Sequence, residues 1–136
     1  MSTWTVGKPV EGRLRIAMPF DTMTRRKFLD LGIRPVWAPR IGGGGRWLVN
    51  RDRMPEVLHL LYQQHGPGTV IIRGHVSDRC DIRCQRARGH DCVCSCAGRH
   101  HGLFNESSWL AVGETTLVRG GEFTEQRYTY DEGRSP

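Results

Sequence analysis

Basic and apolar residues alternate through Arg13-Leu14-Arg15-Ile16-Ala17-Met18-Pro19-Phe20, and this period of two predicts a half-buried strand. Asp21 or Thr22 then caps a short helix through Asp30, with Met23, Phe28 and Leu31 expected to face inward and Gly32 to stop it. Ile33 to Pro39 reads as a second strand built around Val36 and Trp37. The run Ile41-Gly42-Gly43-Gly44-Gly45 reads as a hairpin loop, and Arg46-Trp47-Leu48-Val49 as the returning strand.

The period changes to that of a helix from Arg51 to Gln64. Met54, Val57, Leu58, Leu61 and Tyr62 recur on one face, and Gly66-Pro67-Gly68 closes the segment. Thr69-Val70-Ile71-Ile72 is a buried strand. Near the C-terminus, Trp109–Val112 and Thr115–Val118 flank Gly113-Glu114, and Phe123–Tyr130 follows, so two or three short antiparallel strands are expected. The pattern predicts an α+β protein: a ferredoxin-like β-α-β-β-α-β sandwich, a Cys/His metal knuckle and a C-terminal β-hairpin. In residue terms, 1–76 form the core, 77–102 the knuckle, 103–130 strands that pack on the core, and 131–136 a frayed tail.

The knuckle follows from composition. All five cysteines and three of the six histidines lie within 80–101, where Ile82 and Val93 are the only large aliphatic side chains. Ordering such a segment costs about 1–2 kcal/mol of backbone entropy per residue, which hydrophobic burial cannot offset here. A structural zinc ion, contributing roughly 10–16 kcal/mol in small peptides, can. The odd cysteine count and the absence of a legible secretory signal favour metal ligands over disulfides. Ser77 or Asp78 caps an expected helix to about Arg88, on which Cys80 and Cys84 face the same way. Four ligands drawn from Cys80, Cys84, Cys92, Cys94, Cys96 and His101 complete a zinc site. Alternation points Cys94 away from Cys92 and Cys96, so the segment must turn if all three bind. A [4Fe–4S] cluster is the alternative cofactor, although the usual ferredoxin spacings are missing, and a binuclear zinc site is a third arrangement.

Charge adds a partner. The formal net charge is +6, and only Lys8 and Lys27 among the basic residues are lysines. Residues 24–53 hold eight basic and two acidic side chains, residues 73–101 hold six and three, and the chain from 102 onward reverses to three and six. Positive charge gathered in two blocks points to DNA or RNA rather than to a membrane, because no basic amphipathic helix with bulky apolar anchors accompanies it. Arg79, Arg83 and Arg86 form a stripe beside the helical cysteines, suited to phosphate oxygens. Arg25, Arg26 and Lys27, with Arg40 and Arg46 around the glycine loop, extend the surface. Trp37 and Trp47 suit stacking on unpaired bases, although such residues more often pack in a core.

No catalytic constellation stands out. The glycine run lacks a following Gly-Lys-Ser/Thr, no His-x-Glu precedes a Pro-Cys-x-x-Cys, and metal-bound thiolates are poor nucleophiles. No apolar run reaches the length of a membrane span, and a cytoplasmic location is expected.

Two resemblances bear on this reading. The pattern Cys80-x3-Cys84-x2-Ala87-x-Gly89-x2-Cys92-x-Cys94-x-Cys96-x-Gly98-x2-His101-Gly102 resembles a motif of uncharacterised small proteins of actinobacteria and their bacteriophages. That resemblance implies that the five cysteines and His101 act together. Met18-Pro19-Phe20, Leu31-Gly32-Ile33-x3-Trp37 and Arg46-Trp47-Leu48-Val49 are similar to a small module of plasmid and phage DNA-processing proteins, and to the accessory module of annealing helicases. The charge segregated beside the cysteine cluster carries the expectation of a zinc-binding, nucleic-acid-binding protein that is not an enzyme, and the resemblances add that it is an accessory factor of a phage or mobile element. The alternatives are a modulator of a host protein whose metal is purely structural, and an iron–sulfur redox or sensor protein.

Overall fold

The computed structural model describes residues 4–18, 22–39, 45–75, 108–118 and 123–133. Among these residues, seven strands form one sheet. They are β1 (Thr5–Lys8), β2 (Leu14–Ala17), β3 (Val36–Pro39), β4 (Gly45–Val49), β5 (Gly68–His75), β6 (Trp109–Val118) and β7 (Phe123–Tyr130). The described residues also include α1 (Thr22–Asp30) and α2 (Met54–His65), giving a mixed α+β architecture, with a 3-10 turn at Arg51–Arg53 leading into α2.

The strand order is β3-β4-β2-β1-β5-β7-β6. All neighbours are antiparallel except β1 and β5, which run parallel. A ferredoxin-like sheet would place β2 directly beside β5, whereas β1 lies between them here. The sequence pattern does not mark β1 as a strand, because a glycine and a lysine occupy half of its four residues. The C-terminal hairpin also differs from expectation. Trp109 to Val118 is one strand, in which Gly113 (φ 74°) forms part of a bulge between Val112 and Thr116 instead of a turn. The Gln126 amide holds that bulge: it donates to the carbonyls of Val112 (3.3 Å) and Gly113 (3.2 Å) and accepts from the Thr115 hydroxyl (2.8 Å).

One face of the sheet is the core. Register aligns Trp47, Ile16, Val6, Val70 and Tyr128 in a row across β4, β2, β1, β5 and β7, and all five are buried. Each helix meets this face through an aromatic pair. Phe28 of α1 packs edge-on against Trp47 at 6.5 Å, and Tyr62 of α2 against Tyr130 at 6.4 Å. Trp37 adds a second edge contact to Trp47 at 5.0 Å. At the other end Trp4 lies flat over Gly68, and a Cβ there would come within 2.1 Å of the indole. Only glycine permits that approach.

Helix ends follow local chemistry. Beyond α1, the Ile33 N–H donates to the Phe28 carbonyl (2.8 Å) and the Gly32 N–H to that of Leu29 (3.0 Å), with Gly32 at φ 78°. That is a Schellman stop, with Phe28 and Ile33 as its apolar contact. α2 starts with Pro55 in its first turn and ends at Gly66, whose N–H donates to the Tyr62 carbonyl. The inward face of α1 differs from expectation: Thr24 and Phe28 are buried, while Met23 and Leu31 are 51% and 41% exposed. Residues 131–133 are tied to the body, since Glu132 accepts from Tyr130 and meets the His59 ring at 2.8 Å.

Candidate nucleic-acid interface

Side chains on a strand alternate between faces, so burying Leu14, Ile16 and Val49 sends Arg15, Ala17 and Leu48 to the opposite side. No helix among the described residues covers that side. Arg15 (β2), Arg46 (β4), Arg73 (β5) and Arg127 (β7) all point there, and Glu125 is the acidic residue among them. The parity can be checked along the register: Ala17 pairs with Arg46, Gly7 with both Arg15 and Ile71, and Ile71 with Arg127. One face therefore holds the core and the other an arginine row.

Arg15, Arg46 and Arg73 line a groove of about 240 Å³ whose floor is Thr5, Gly7, Ala17 and Ile71. Arg73 is paired across the strands with Glu125, Nε to Oε2 at 3.3 Å. A directly opposed, half-buried pair of this kind fixes the Arg73 side chain and leaves guanidinium donors for a second partner. Arg15 is exposed, and Arg46 is half-buried. Three guanidiniums against one carboxylate make the groove electropositive.

Gly7 sits in the middle of the floor. A Cβ added there meets nothing closer than the Arg15 carbonyl oxygen at 3.9 Å, so packing does not demand glycine. Its effect is on the surface, where the bare backbone keeps the groove open.

The sequence-predicted residues divide between places. Arg46 lies in the groove. Arg25, Arg26 and Lys27 are exposed on α1, across the sheet from the arginine row, so the structure does not bring them together with Arg46. Trp47 is 1% exposed, which makes it a core aromatic and removes it as a stacking platform, whereas Trp37 is half-buried and packs on it. Arg40, Arg79, Arg83 and Arg86 lie outside the described residues, as do Cys80, Cys84, Cys92, Cys94, Cys96 and His101. Among the described residues no group of three or more His, Cys, Asp or Glu side chains is placed to hold a metal, and no helix is long and apolar enough to cross a membrane.

Sequence reading does not single out Arg15, Arg73 or Arg127. The signal for Arg15 is its place between Leu14 and Ile16 in an alternating strand. Arg73 and Arg127 are marked only once β5 and β7 are known to be neighbours. Comparison with protein-family models, with curated proteins and with solved structures gave no match to the chain.

Proposed function

We propose that the protein binds single-stranded DNA or RNA through the arginine-lined open face of its sheet. The observation that carries this reading is the convergence of Arg15, Arg46 and Arg73 from three strands onto one groove floored by small residues. Guanidinium forks match phosphate oxygens, and such contacts position a strand without specifying its sequence. A groove of about 240 Å³ has the scale of a sugar–phosphate backbone and is too small to admit a duplex. The strand order β3-β4-β2 with β5 beyond supports a ferredoxin-like core widened by β1.

The test is fluorescence anisotropy of a mixed-sequence single-stranded oligonucleotide at rising salt. Neutralising three phosphates gives a slope of roughly −2 in log affinity against log salt concentration. The Arg15→Gln/Arg46→Gln variant flattens that slope by roughly one or more. Gly7→Val fills the groove floor and weakens binding while the protein stays folded. Affinity that does not change with salt overturns the proposal.

The Cys/His segment completes the reading on the strength of its sequence. Cys80, Cys84, Cys92, Cys94, Cys96 and His101 supply more than the four ligands a structural zinc requires, and Arg79, Arg83 and Arg86 beside them extend the basic surface. Elemental analysis of anaerobically purified protein tests it: one zinc per chain is expected. Iron with sulfide in a brown preparation replaces zinc by the cluster.

A further inference from the structure

A second cleft, of about 610 Å³, lies where three turns meet, and Arg13, Arg34, Arg51 and Arg53 line it. Asp52 is the acidic residue of the lining. The arginines come from separate parts of the chain: the entry to β2, the α1–β3 connection and the 3-10 turn before α2. Gathering four guanidiniums around one cavity raises their mutual repulsion, which a bound anion would relieve.

The four do different work. Arg51 donates to the carbonyls of Val10 (3.0 Å) and Gly12 (3.3 Å), and Arg53 to that of Leu31 (2.8 Å) while also pairing with the Glu56 carboxylate at 3.5 Å. These two tie the β1–β2 and α1–β3 turns to the start of α2 and thereby fix the walls. Gly12 at φ 93° and Gly32 at φ 78° form the turns themselves. Arg13 and Arg34 are exposed and, among the described residues, make no hydrogen bond or ion pair. They offer ten N–H donors between them, and the hydrogen-bonded frame behind them uses neither.

We propose that this cleft is a binding site for a terminal, doubly charged phosphate, carried either by a free nucleotide or by the end of a nucleic-acid strand. Arg13 and Arg34 grip the phosphate as bidentate donors, and Arg51 and Arg53 supply field and shape from behind. The volume exceeds that of a phosphate and is in the range of pockets that take a mononucleotide-sized ligand. The cleft shares no lining residue with the groove of the open face, so the proposal does not rest on that site.

Calorimetry with inorganic pyrophosphate tests the site directly. Wild-type protein binds it, and Arg13→Gln/Arg34→Gln weakens binding by about tenfold or more while circular dichroism and the thermal midpoint hold. The single variant Arg34→Gln provides the same readout if the double variant unfolds. A pair of otherwise identical oligonucleotides, 5′-phosphorylated and 5′-hydroxyl, separates the two sources of phosphate. Tighter binding of the phosphorylated strand, lost in Arg13→Gln/Arg34→Gln, assigns the site to strand ends, and pyrophosphate binding with no such preference assigns it to free nucleotides. Absence of pyrophosphate binding, or binding that is equal in the Arg13→Gln/Arg34→Gln variant, overturns the proposal. Failure of the open-face reading shows separately, as a missing salt dependence with the 5′-hydroxyl strand.

Discussion

The two faces of the sheet are made from the same strands and the same backbone hydrogen bonds, yet they answer to different physics. On the covered face Trp47, Ile16, Val6, Val70 and Tyr128 form a continuous apolar row, each less than 2% exposed. On the open face, one residue along, the aligned row holds Leu48, Arg15, Gly7, Ile71 and Arg127, with Arg46 opposite Ala17 in the next row. The first row stabilises the fold by removing apolar area from water, roughly 1.5–3 kcal/mol for each large side chain. The second contributes little to folding, because exposed guanidiniums stay hydrated and are screened by salt. A face that folding does not need is free to be shaped by a partner.

The sharpest way to break this contrast is to truncate one residue on each side of the same strand. Trp47→Ala should cost about 3–5 kcal/mol in urea denaturation, while Arg46→Ala should stay within about 0.5 kcal/mol. Equal costs would mean that the open face is part of the core.

Smaller effects come from the sheet's two special contacts. Gly68→Ala pushes a methyl group into the Trp4 indole and should cost about 1–3 kcal/mol by the same measurement. Gln126→Leu leaves the Val112 and Gly113 carbonyls of the bulge without their amide donor, and about 1–3 kcal/mol is expected. Hydrogen exchange at β6 sharpens the second case. Protection should fall near Gly113 and persist at Trp109, which stays packed against Tyr128 at 5.6 Å.

The smallest effect is a titration. Burial, followed by a hydrogen bond to Asp131 and the charge of that carboxylate, holds the Tyr62 phenol above its ordinary value of 10.0. The unfolded chain therefore loses this proton first. The contribution is fully present below pH 10 and is lost as pH rises through the folded-state value. Thermal midpoints should decline on the alkaline side, and Tyr62→Phe should lessen the decline.

How far the sequence shows all this depends on the range of the signal. α2 is plain, because five apolar residues at helical spacing, a proline in the first turn and a terminal glycine agree. β2 is equally plain from its alternation. α1 is found in place but turned on its axis, since Thr24 displaces Met23 from the core. The short helix lacks enough apolar residues to fix its own rotation, and Phe28 docking on Trp47 sets it instead. The Gly113-Glu114 pair has the composition of a turn and the role of a bulge, because eight registered pairs between β5 and β7 carry the hairpin past it. Of the site, Arg46 is legible from charge and position. Arg15 is legible only as the polar half of a strand, and Arg73 only through its neighbours.

By itself the sequence determined the alternation of β2, the helical face of α2, the helix stops at Gly32 and Gly66 and the clustering of positive charge in two blocks. These depend on interactions within a few residues, where propensity and period act directly. Tertiary structure decided the insertion of β1 between β2 and β5, the rotation of α1, the core role of Trp47, and which arginines meet. Those outcomes depend on strand neighbours tens of residues apart in the chain. The same period of two that buries Leu14 and Ile16 exposes Arg15, but only the register across β2, β1 and β5 sets Arg15 and Arg73 around one groove.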